Sequence, residues 1–254
     1  TERVGLSMFV LANDHRHPAV LAKEIATIDV LSGGRVELGL GAGWMESEYR
    51  AVGVAFDPPG RRIERLAEAI TVVRGLFSES PFTFTGDHYE IHDNALHPRP
   101  VRRTGIPLVL GGGAPRMLSL AAREADIVGI AMNNSARQTE QGPTTSGLSR
   151  ASFVEQLGWV RDAAGARFDD LEINVRVLGV ATGGTAEEGA AELAADFGCD
   201  PADLLDSPFA FVGPTEAVAE RLLRDRDELG VSYYTVSQRH SDQVRPIVDA
   251  VGGR

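Results

Sequence analysis

The sequence predicts an α/β fold built on a parallel sheet, and three observations lead to this prediction. Short apolar or β-branched runs alternate with longer amphipathic stretches along the whole 254-residue chain. The composition, 43% hydrophobic and 24% charged, is that of an ordinary globular protein large enough to bury a core. Two glycine-rich segments each follow a predicted strand. Such an alternation is typical of repeated βα units.

The predicted elements follow one another in a regular order. The strands are expected at residues 3–11, 35–41, 106–110, 126–130, 171–180 and 231–237. The helices are expected at about 18–31, 61–77, 115–124, 151–164, 185–196, after Gly213-Pro214, and at 242–251. Pro18 suits a first helical turn, and the paired Gly33 and Gly34 suit a helix end.

Two segments interrupt this rhythm within what we predict to be a single domain spanning 1–254. Near 80–100, two short alternating runs flank Thr85-Gly86-Asp87 and predict a β-hairpin insertion. Near 132–150 the chain is polar, rich in Gly, Ser and Thr, and without periodicity, which predicts a mobile loop. Since this loop follows a strand, it is interpreted either as an active-site lid or as a surface insertion.

Composition excludes several classes of function. With 25 Lys and Arg against 36 Asp and Glu, the formal net charge is −11, so neither nucleic acid nor a membrane is an expected partner. The N-terminal residues lack the features of a signal peptide, and a cytoplasmic location is expected. Cys199 is the only cysteine and Lys23 the only lysine, which argues against a disulfide, a thiolate metal cage, a P-loop or a Schiff base.

The second glycine-rich segment predicts an anion site. Gly111, Gly112 and Gly113 end a predicted strand, and Arg116 follows in the first turn of a predicted helix. Neither glycine segment fits the GxGxxG fingerprint or the P-loop pattern. A glycine turn at a helix N-terminus lets backbone N–H groups approach an anion, and the arginine adds a charge-assisted hydrogen bond. The alternative is that the glycines only allow a tight strand-to-helix turn.

Candidate catalytic groups are the three histidines near predicted strand ends, His15, His17 and His240, because imidazole titrates near neutrality. The spacing of His15 and His17 lacks the partners of a metal site, and no metal is predicted. Gly41, Ala42 and Gly43 would leave room for a flat ring against the backbone. A cluster of Arg61, Arg62 and Arg65 is interpreted as a solvated face or as a place for a polyanionic tail.

Several of these segments together resemble a known family. The chain contains LSGGR at 31–35, GLGAGW at 39–44, GGGAPRM at 111–117 and FVGPTEAVAERLL at 211–223. In this combination the sequence resembles the bacterial luciferase-like monooxygenases, and especially the branch that uses a deazaflavin, coenzyme F420, in place of FMN.

The resemblance implies a (β/α)₈ TIM-barrel type of fold with the cofactor at the carboxyl ends of the strands. By position, the implied ring-contacting residues are Ala12, Asn13, Gly41, Ala42 and Gly43, and the implied phosphate-binding residues are Gly111, Gly112, Gly113, Arg116 and Met117. The implied activity is hydride transfer between a reduced deazaflavin and a small organic substrate. The alternatives are an FMN-dependent monooxygenase and a non-catalytic flavin- or deazaflavin-binding protein.

The family also sets an expectation about assembly. Only six of eight barrel strands are predicted, as if the first two βα units were lacking. Two missing strands would leave the strands at 3–11 and 231–237 with unpaired edges. We therefore expect either a partner chain or a preceding segment to close the gap, with a homodimer as the expected assembly.

Overall fold

A computed structural model describes residues 2–78, 81–102, 105–133 and 145–252. The chain divides into two compact units. The N-terminal unit comprises Thr1–Gly111 with Glu124–Asp126, and the C-terminal unit comprises Gly112–Arg123 with Ile127–Arg254. Most of the predicted loop near 132–150, from 134 to 144, lies outside the described residues.

The N-terminal unit contains the predicted strands and helices in order, with one further short helix, α2, that the sequence did not predict. Its elements are β1 (Leu6–Ser7), β2 (Leu11–Ala12), α1 (Pro18–Ser32), β3 (Val36–Gly41), α2 (Glu46–Val52), α3 (Pro59–Ser78), β4 (Phe82–Thr85), β5 (Glu90–Asn94) and β6 (Leu108–Gly112, which this unit includes up to Gly111). Strands β1, β2 and β6 all pair with β3 in parallel. Strands β4 and β5 form an antiparallel pair at the position where the sequence predicts a hairpin.

Helix α1 shows why the helix boundaries follow the sequence closely. Pro18 lies at its first turn, where the missing N–H is not needed. Gly33 ends the helix with φ 71°, a left-handed conformation that glycine adopts without steric cost.

The prediction of one continuous strand at 3–11 is wrong. The structure has two short strands there, β1 and β2. Between them the Met8 carbonyl points at β3, where a Cβ atom on Gly39 would lie only 1.6 Å from the carbonyl oxygen. Gly39 therefore admits a kink in the neighbouring chain, and the kink interrupts the ladder.

The C-terminal unit continues the same βα alternation. Its elements are α4 (Pro115–Glu124), β7 (Ile127–Ile130), α5 (Arg150–Ala164), β8 (Glu172–Arg176), β9 (Gly179–Ala181), α6 (Ala186–Phe197), α7 (Pro201–Leu205), β10 (Ala210–Val212), α8 (Thr215–Leu229), β11 (Val231–Thr235) and α9 (Ser241–Val251). Strand β8 pairs in parallel with β7 on one side and β11 on the other.

The strand predicted at 171–180 is also divided, into β8 and β9. The N–H of Val177 still donates to Thr235 at the end of β11, with 2.9 Å between N and O, whereas the N–H of Leu178 donates to Phe209, at 2.8 Å. The chain thus changes its partner at Leu178, and β9 pairs with β10, a strand that the sequence analysis missed. The apolar run at 209–212 before Gly213-Pro214 was the available signal.

Candidate active site

Two of the predicted ring-contacting segments meet at the carboxyl ends of β2 and β3. Ala12 pairs with Gly41 in the parallel register of these strands. A single 3₁₀ turn, Asn13–His15, follows β2 directly, and Ala42 and Gly43 follow β3. The register therefore brings Asn13 and His15 to the same sheet edge as Gly43, as the sequence predicts for strand-end residues.

The centre of this edge is a buried carboxylate that the sequence analysis did not single out. The side chain of Asp14 is completely buried. Its Oδ2 accepts a hydrogen bond from the Tyr49 hydroxyl at 3.1 Å, and its Oδ1 lies 3.4 Å from a guanidinium nitrogen of Arg65. The hydrogen bond from the Tyr49 phenol and the positive charge of Arg65 thus compensate for the burial of this carboxylate.

Tyr49, which donates this hydrogen bond to Asp14, lies in α2. It is 1% exposed. Burial raises the pKa of Tyr49 to about 12, and the charge of Asp14 together with the hydrogen bond to it acts in the same direction. The hydroxyl therefore stays protonated at neutral pH and serves as a donor to Asp14.

The side-chain amide of Asn13 makes its polar contacts with other residues of the protein. It is 2% exposed, and its Nδ2 donates to the Tyr89 hydroxyl at 3.1 Å and lies 3.4 Å from Asp14 Oδ1. Tyr89 comes from the hairpin that β4 and β5 form. Asn13 thus links the strand end to the hairpin, a role for the insertion that the sequence analysis did not anticipate.

Protein side chains already fill the space that the glycines after β3 provide. A Cβ atom on Gly41 would lie 3.0 Å from a methyl carbon of Val10, and one on Gly43 would lie 1.9 Å from the Tyr49 hydroxyl oxygen. Gly43 also has φ 73°, which disfavours any other residue. The predicted room for a flat ring at these two glycines is therefore occupied by Val10 and Tyr49.

The arginine cluster of α3 is not a uniformly solvated face. Arg65 binds the carboxylate of Asp57, in addition to its contact with Asp14. Arg62 is 5% exposed, and its guanidinium carbon lies 3.8 Å from the centre of the Phe56 ring. Only Arg61 is exposed as expected. Because the local sequence alone does not show which arginines face inward, the interpretation as a solvated face is wrong for Arg62 and Arg65.

The three candidate histidines differ in what their ring nitrogens do. His17 caps α1 by accepting from the N–H of Ala19 at 3.3 Å, which is a structural role. His240 Nδ1 lies 3.0 Å from Gln243 Oε1, and its Nε2 is paired with Arg239 at 3.0 Å. His15 packs against the Tyr49 ring with 4.8 Å between ring centres, and its buried Nε2 has no hydrogen-bond partner within the described part of the chain.

Among the three candidates, His15 is therefore the histidine that has a buried ring nitrogen without a partner in the described residues. His240 belongs to the C-terminal unit, whereas His15 and His17 belong to the N-terminal unit.

The predicted phosphate-binding turn in the C-terminal unit is supported from within by Gln156. This glutamine is fully buried on α5, and its Nε2 donates to the carbonyls of Gly113 at 2.9 Å and Ala131 at 2.8 Å. Gln156 thereby ties the start of α4 to the chain that follows β7. The sequence gives no local signal for this contact, since the two carbonyls are 43 and 25 residues away.

The glycines of this turn are required by close packing. A Cβ atom on Gly113 would lie 2.5 Å from the Met132 carbonyl oxygen, and one on Gly112 would lie 2.5 Å from the side chain of Met117. Met117 is 6% exposed and so packs inward, whereas Arg116 is exposed in the first turn of α4. Of the predicted phosphate-binding side chains, Arg116 is thus the one that an external anion can reach.

Two open depressions lie elsewhere on the surface. One of about 780 Å³ follows α1, between Arg16 and Ile28, and one of about 320 Å³ is lined by Pro115, Ser119 and Trp159. Across the described ranges, no three His, Cys, Asp or Glu side chains are grouped as ligands of a metal ion. None of the described helices combines the length and apolar character needed to cross a bilayer.

Comparison with known proteins identifies relatives of two kinds. The family model for luciferase-like monooxygenases matches residues 1–152. The chain is 30% identical over 177 residues to an FMNH2-dependent dimethylsulfone monooxygenase of Pseudomonas putida, a match that covers 70% of this chain and 44% of the relative. It is 38% identical over 127 residues to an F420-dependent glucose-6-phosphate dehydrogenase of Kineococcus radiotolerans, covering 50% of this chain and 37% of the relative. These matches thus cover less than half of either relative.

Solved structures share the fold at low sequence identity. The coenzyme F420-dependent tetrahydromethanopterin reductase of Methanopyrus kandleri has a TM-score of 0.73 at 16% identity, covering 98% of this chain and 81% of the reductase. An EDTA monooxygenase from a Chelativorans species has a TM-score of 0.73 at 17% identity, covering 98% and 74%. The family resemblance seen in the sequence is confirmed, and the α/β fold is that of these proteins.

Proposed function

Because this chain belongs to the luciferase-like monooxygenase family, we propose that it is an oxidoreductase that transfers a hydride between a deazaflavin, coenzyme F420, and a small organic substrate. The observation that carries the proposal is the buried hydrogen bond between Tyr49 and Asp14 at the carboxyl edge of β2 and β3. It fixes the turn Asn13–His15, which directly follows a strand. Strand ends of this kind hold catalytic groups in parallel α/β enzymes.

The residues proposed to bind the cofactor form two groups, one in each unit. At the anionic end, exposed Arg116 lies in the first turn of α4, a ten-residue helix, where backbone N–H groups and the helix dipole favour a phosphate. Gln156 keeps this turn in place. At the ring end, Ala12 and the turn after β2 provide the edge, while Gly41 and Gly43 are filled by protein and contribute only backbone.

The protein's own contribution to the reaction is positioning and proton transfer. When bound, the reduced deazaflavin supplies the hydride. A substrate carbonyl that accepts a hydride must also take up a proton at its oxygen, and we assign this proton to His15 Nε2. This nitrogen has no other partner among the described residues, and the Tyr49 ring supports the imidazole from one side. His17 and His240 are proposed to have structural roles.

FMN-dependent oxygenation is a second candidate function. It is favoured by the greater length of the match to the dimethylsulfone monooxygenase, 177 residues against 127 for the dehydrogenase. Nothing in the Arg116 turn discriminates between the phosphates of the two cofactors. The test must therefore include both cofactors, coenzyme F420 and FMN.

Reconstitution with each cofactor separates the candidate functions. The protein is incubated with oxidised coenzyme F420 or with FMN, freed of unbound cofactor by gel filtration, and its visible absorption spectrum recorded. We expect a retained single deazaflavin band. Two retained flavin bands would favour the monooxygenase, and retention of neither cofactor would refute both functions.

A matched pair of arginine variants locates the anion end. Arg116→Ala should weaken cofactor binding about tenfold, since a charge-assisted hydrogen bond is removed. Arg123→Ala, an exposed position in the last turn of the same helix, should leave binding unchanged. Equal effects of the two variants would contradict the proposed anion site.

Assembly as a homodimer is also part of the proposal. Near β1 and β2, Val4, Leu6, Phe9 and Val10 are between 38% and 60% exposed, and such an apolar group is suited to burial against a second chain. Sedimentation equilibrium tests this, and a monomer over the micromolar range would refute it. A cytoplasmic location and the absence of nucleic-acid or membrane partners remain predictions from composition and charge.

A further inference from the structure

Trp44 is a large aromatic side chain that is strongly exposed to solvent. It is 72% exposed, whereas Phe9, another exposed large aromatic residue, is 38% exposed. Tryptophan is usually buried to a large extent, since its ring system carries much apolar area. An exposed tryptophan at a strand end is therefore a candidate for contact with a ligand.

The backbone around Trp44 is held firmly on both sides. Before it, the Ala42 carbonyl oxygen lies 3.3 Å from the Tyr49 hydroxyl oxygen, and Gly43 packs against the same hydroxyl. After it, Met45 is the N-cap of α2 and accepts from the N–H of Glu48 at 3.1 Å. The exposed ring thus extends from a fixed turn, so that little backbone entropy is lost when it binds a partner.

The position of Trp44 relates it to the candidate active site. It follows Gly41 by three residues, and Gly41 pairs with Ala12 at the sheet edge. Tyr49, which anchors the turn of Trp44, also contacts the imidazole of His15 and the carboxylate of Asp14. Since Val10 and Tyr49 fill the spaces at Gly41 and Gly43, Trp44 offers the flat apolar surface that these glycines do not.

We propose that Trp44 is a stacking site for a planar aromatic ring bound at this edge. The shared chemistry is the flat π face, which the ring of the cofactor or a ring-bearing substrate can supply. This inference rests on the proposed oxidoreductase function, because that function brings such a ring to the edge. It assigns to Trp44 a preference for planar over puckered rings of the same polarity.

The experiment uses four variants of the full chain. Trp44→Ala removes the ring, and Trp44→Phe keeps an aromatic face. Val52→Ala is the control for an exposed apolar side chain on the neighbouring helix α2, where Val52 is 61% exposed. Trp159→Phe is the control for loss of a tryptophan elsewhere. Thermal unfolding first establishes that each variant folds.

Two arms distinguish the source of the ring. In the first arm, the dissociation constants of oxidised coenzyme F420 and of FMN are measured from absorption changes. In the second, the protein with and without the cofactor that binds is titrated with 1,4-naphthoquinone, which is planar, and with cyclohexane-1,4-dione, which has two carbonyls on a puckered ring.

We expect Trp44→Ala to raise the dissociation constant of the cofactor or of the quinone about tenfold, and Trp44→Phe to stay within about threefold of the wild type. The dione and both control variants should show no change. The arm that responds identifies the source of the ring.

The proposal is overturned if Trp44→Ala changes neither arm, if Trp44→Phe loses as much affinity as Trp44→Ala, or if the dione is weakened equally. Failure of the wild type to bind either cofactor would instead refute the proposed function. The quinone titration without cofactor would then still decide the role of Trp44.

Discussion

The Tyr49 hydroxyl lies so close to the backbone of Gly43 that a Cβ atom on Gly43 would be only 1.9 Å from the hydroxyl oxygen. The hydroxyl needs this position because it also reaches Asp14 at 3.1 Å. The glycine after β3 therefore serves a buried hydrogen bond between α2 and the end of β2. The candidate active site depends on this contact, since it fixes the turn that carries His15.

The contact between Gly43 and Tyr49 predicts a specific cost for an added methyl group. Gly43→Ala should lower the free energy of unfolding by several kcal/mol, about 1–3 kcal/mol of it for the left-handed backbone and the rest for displacing Tyr49. Gly53→Ala is the matched control, because Gly53 has φ 72° and nothing within 4 Å of a Cβ atom. Denaturant unfolding of both variants measures the difference, and equal losses would contradict the contact.

Removal of the Tyr49 hydroxyl should destabilise the protein and reduce its sensitivity to alkali. Tyr49→Phe leaves the buried Asp14 with one partner fewer, at a cost of about 1–3 kcal/mol. The pKa of Tyr49 is raised from 10.0 to about 12, so its contribution is complete below pH 10 and is lost as the pH rises through 12.

Unfolding measurements across this pH range test the prediction. The stability difference between the wild type and Tyr49→Phe should shrink from pH 10 to pH 12. A constant difference would show that the phenol titrates at its ordinary value.

Gln156 should be essential for the shape of the Gly113 turn. Gln156→Leu leaves the carbonyls of Gly113 and Ala131 without their buried donor, which should cost about 1–3 kcal/mol for each lost partner. Cofactor affinity should fall with it. Gln243→Leu, an exposed glutamine on α9, is the control for the same change of side chain. Unaltered affinity in a folded Gln156→Leu protein would separate this turn from cofactor binding.

Glu68 should hold the tip of the hairpin through its carboxylate. Burial alone would raise the pKa of Glu68, but hydrogen bonds from the backbone N–H groups of His88, Asp87 and Tyr89 lower it below 4.5. Its contribution is therefore present above pH 4.5 and is lost as the pH falls through the lower value in the folded state.

Amide hydrogen exchange measures directly whether the Glu68 carboxylate protects the amides at the tip of the hairpin. Glu68→Gln should accelerate exchange at the amides of Asp87, His88 and Tyr89, whereas Glu90→Gln, on the exposed face of the hairpin, should not. Protection that persists in Glu68→Gln would show that the hairpin holds its own tip.

Local sequence signals predicted the longer helices and most strand positions, but not the short helices α2 and α7. Helix α1 begins at Pro18 and ends before Gly33, as expected from residues whose backbone preferences act locally. The division of the strand at 171–180 was not predictable in the same way. At Leu178 the chain exchanges β11 for β10, and this depends on the position of Phe209, far away in the sequence.

The candidate site was only partly predictable for the same reason. The sequence placed Asn13, His15 and Gly43 near strand ends, and the structure brings them to one edge. Tyr49, the residue that contacts His15 and Gly43 and bonds Asp14, lies on α2, a short helix that the sequence did not predict. An acidic residue three positions after a predicted strand, Asp14, was the signal that pointed to a buried polar contact at this edge.

The central claim, that this protein is a deazaflavin-dependent oxidoreductase, is tested most directly by calorimetric titration of the wild type with oxidised coenzyme F420 and with FMN under identical conditions. We predict that coenzyme F420 binds at least about tenfold more tightly, a difference of about 1.4 kcal/mol. Tighter binding of FMN, or equal binding of the two cofactors, would contradict the claim.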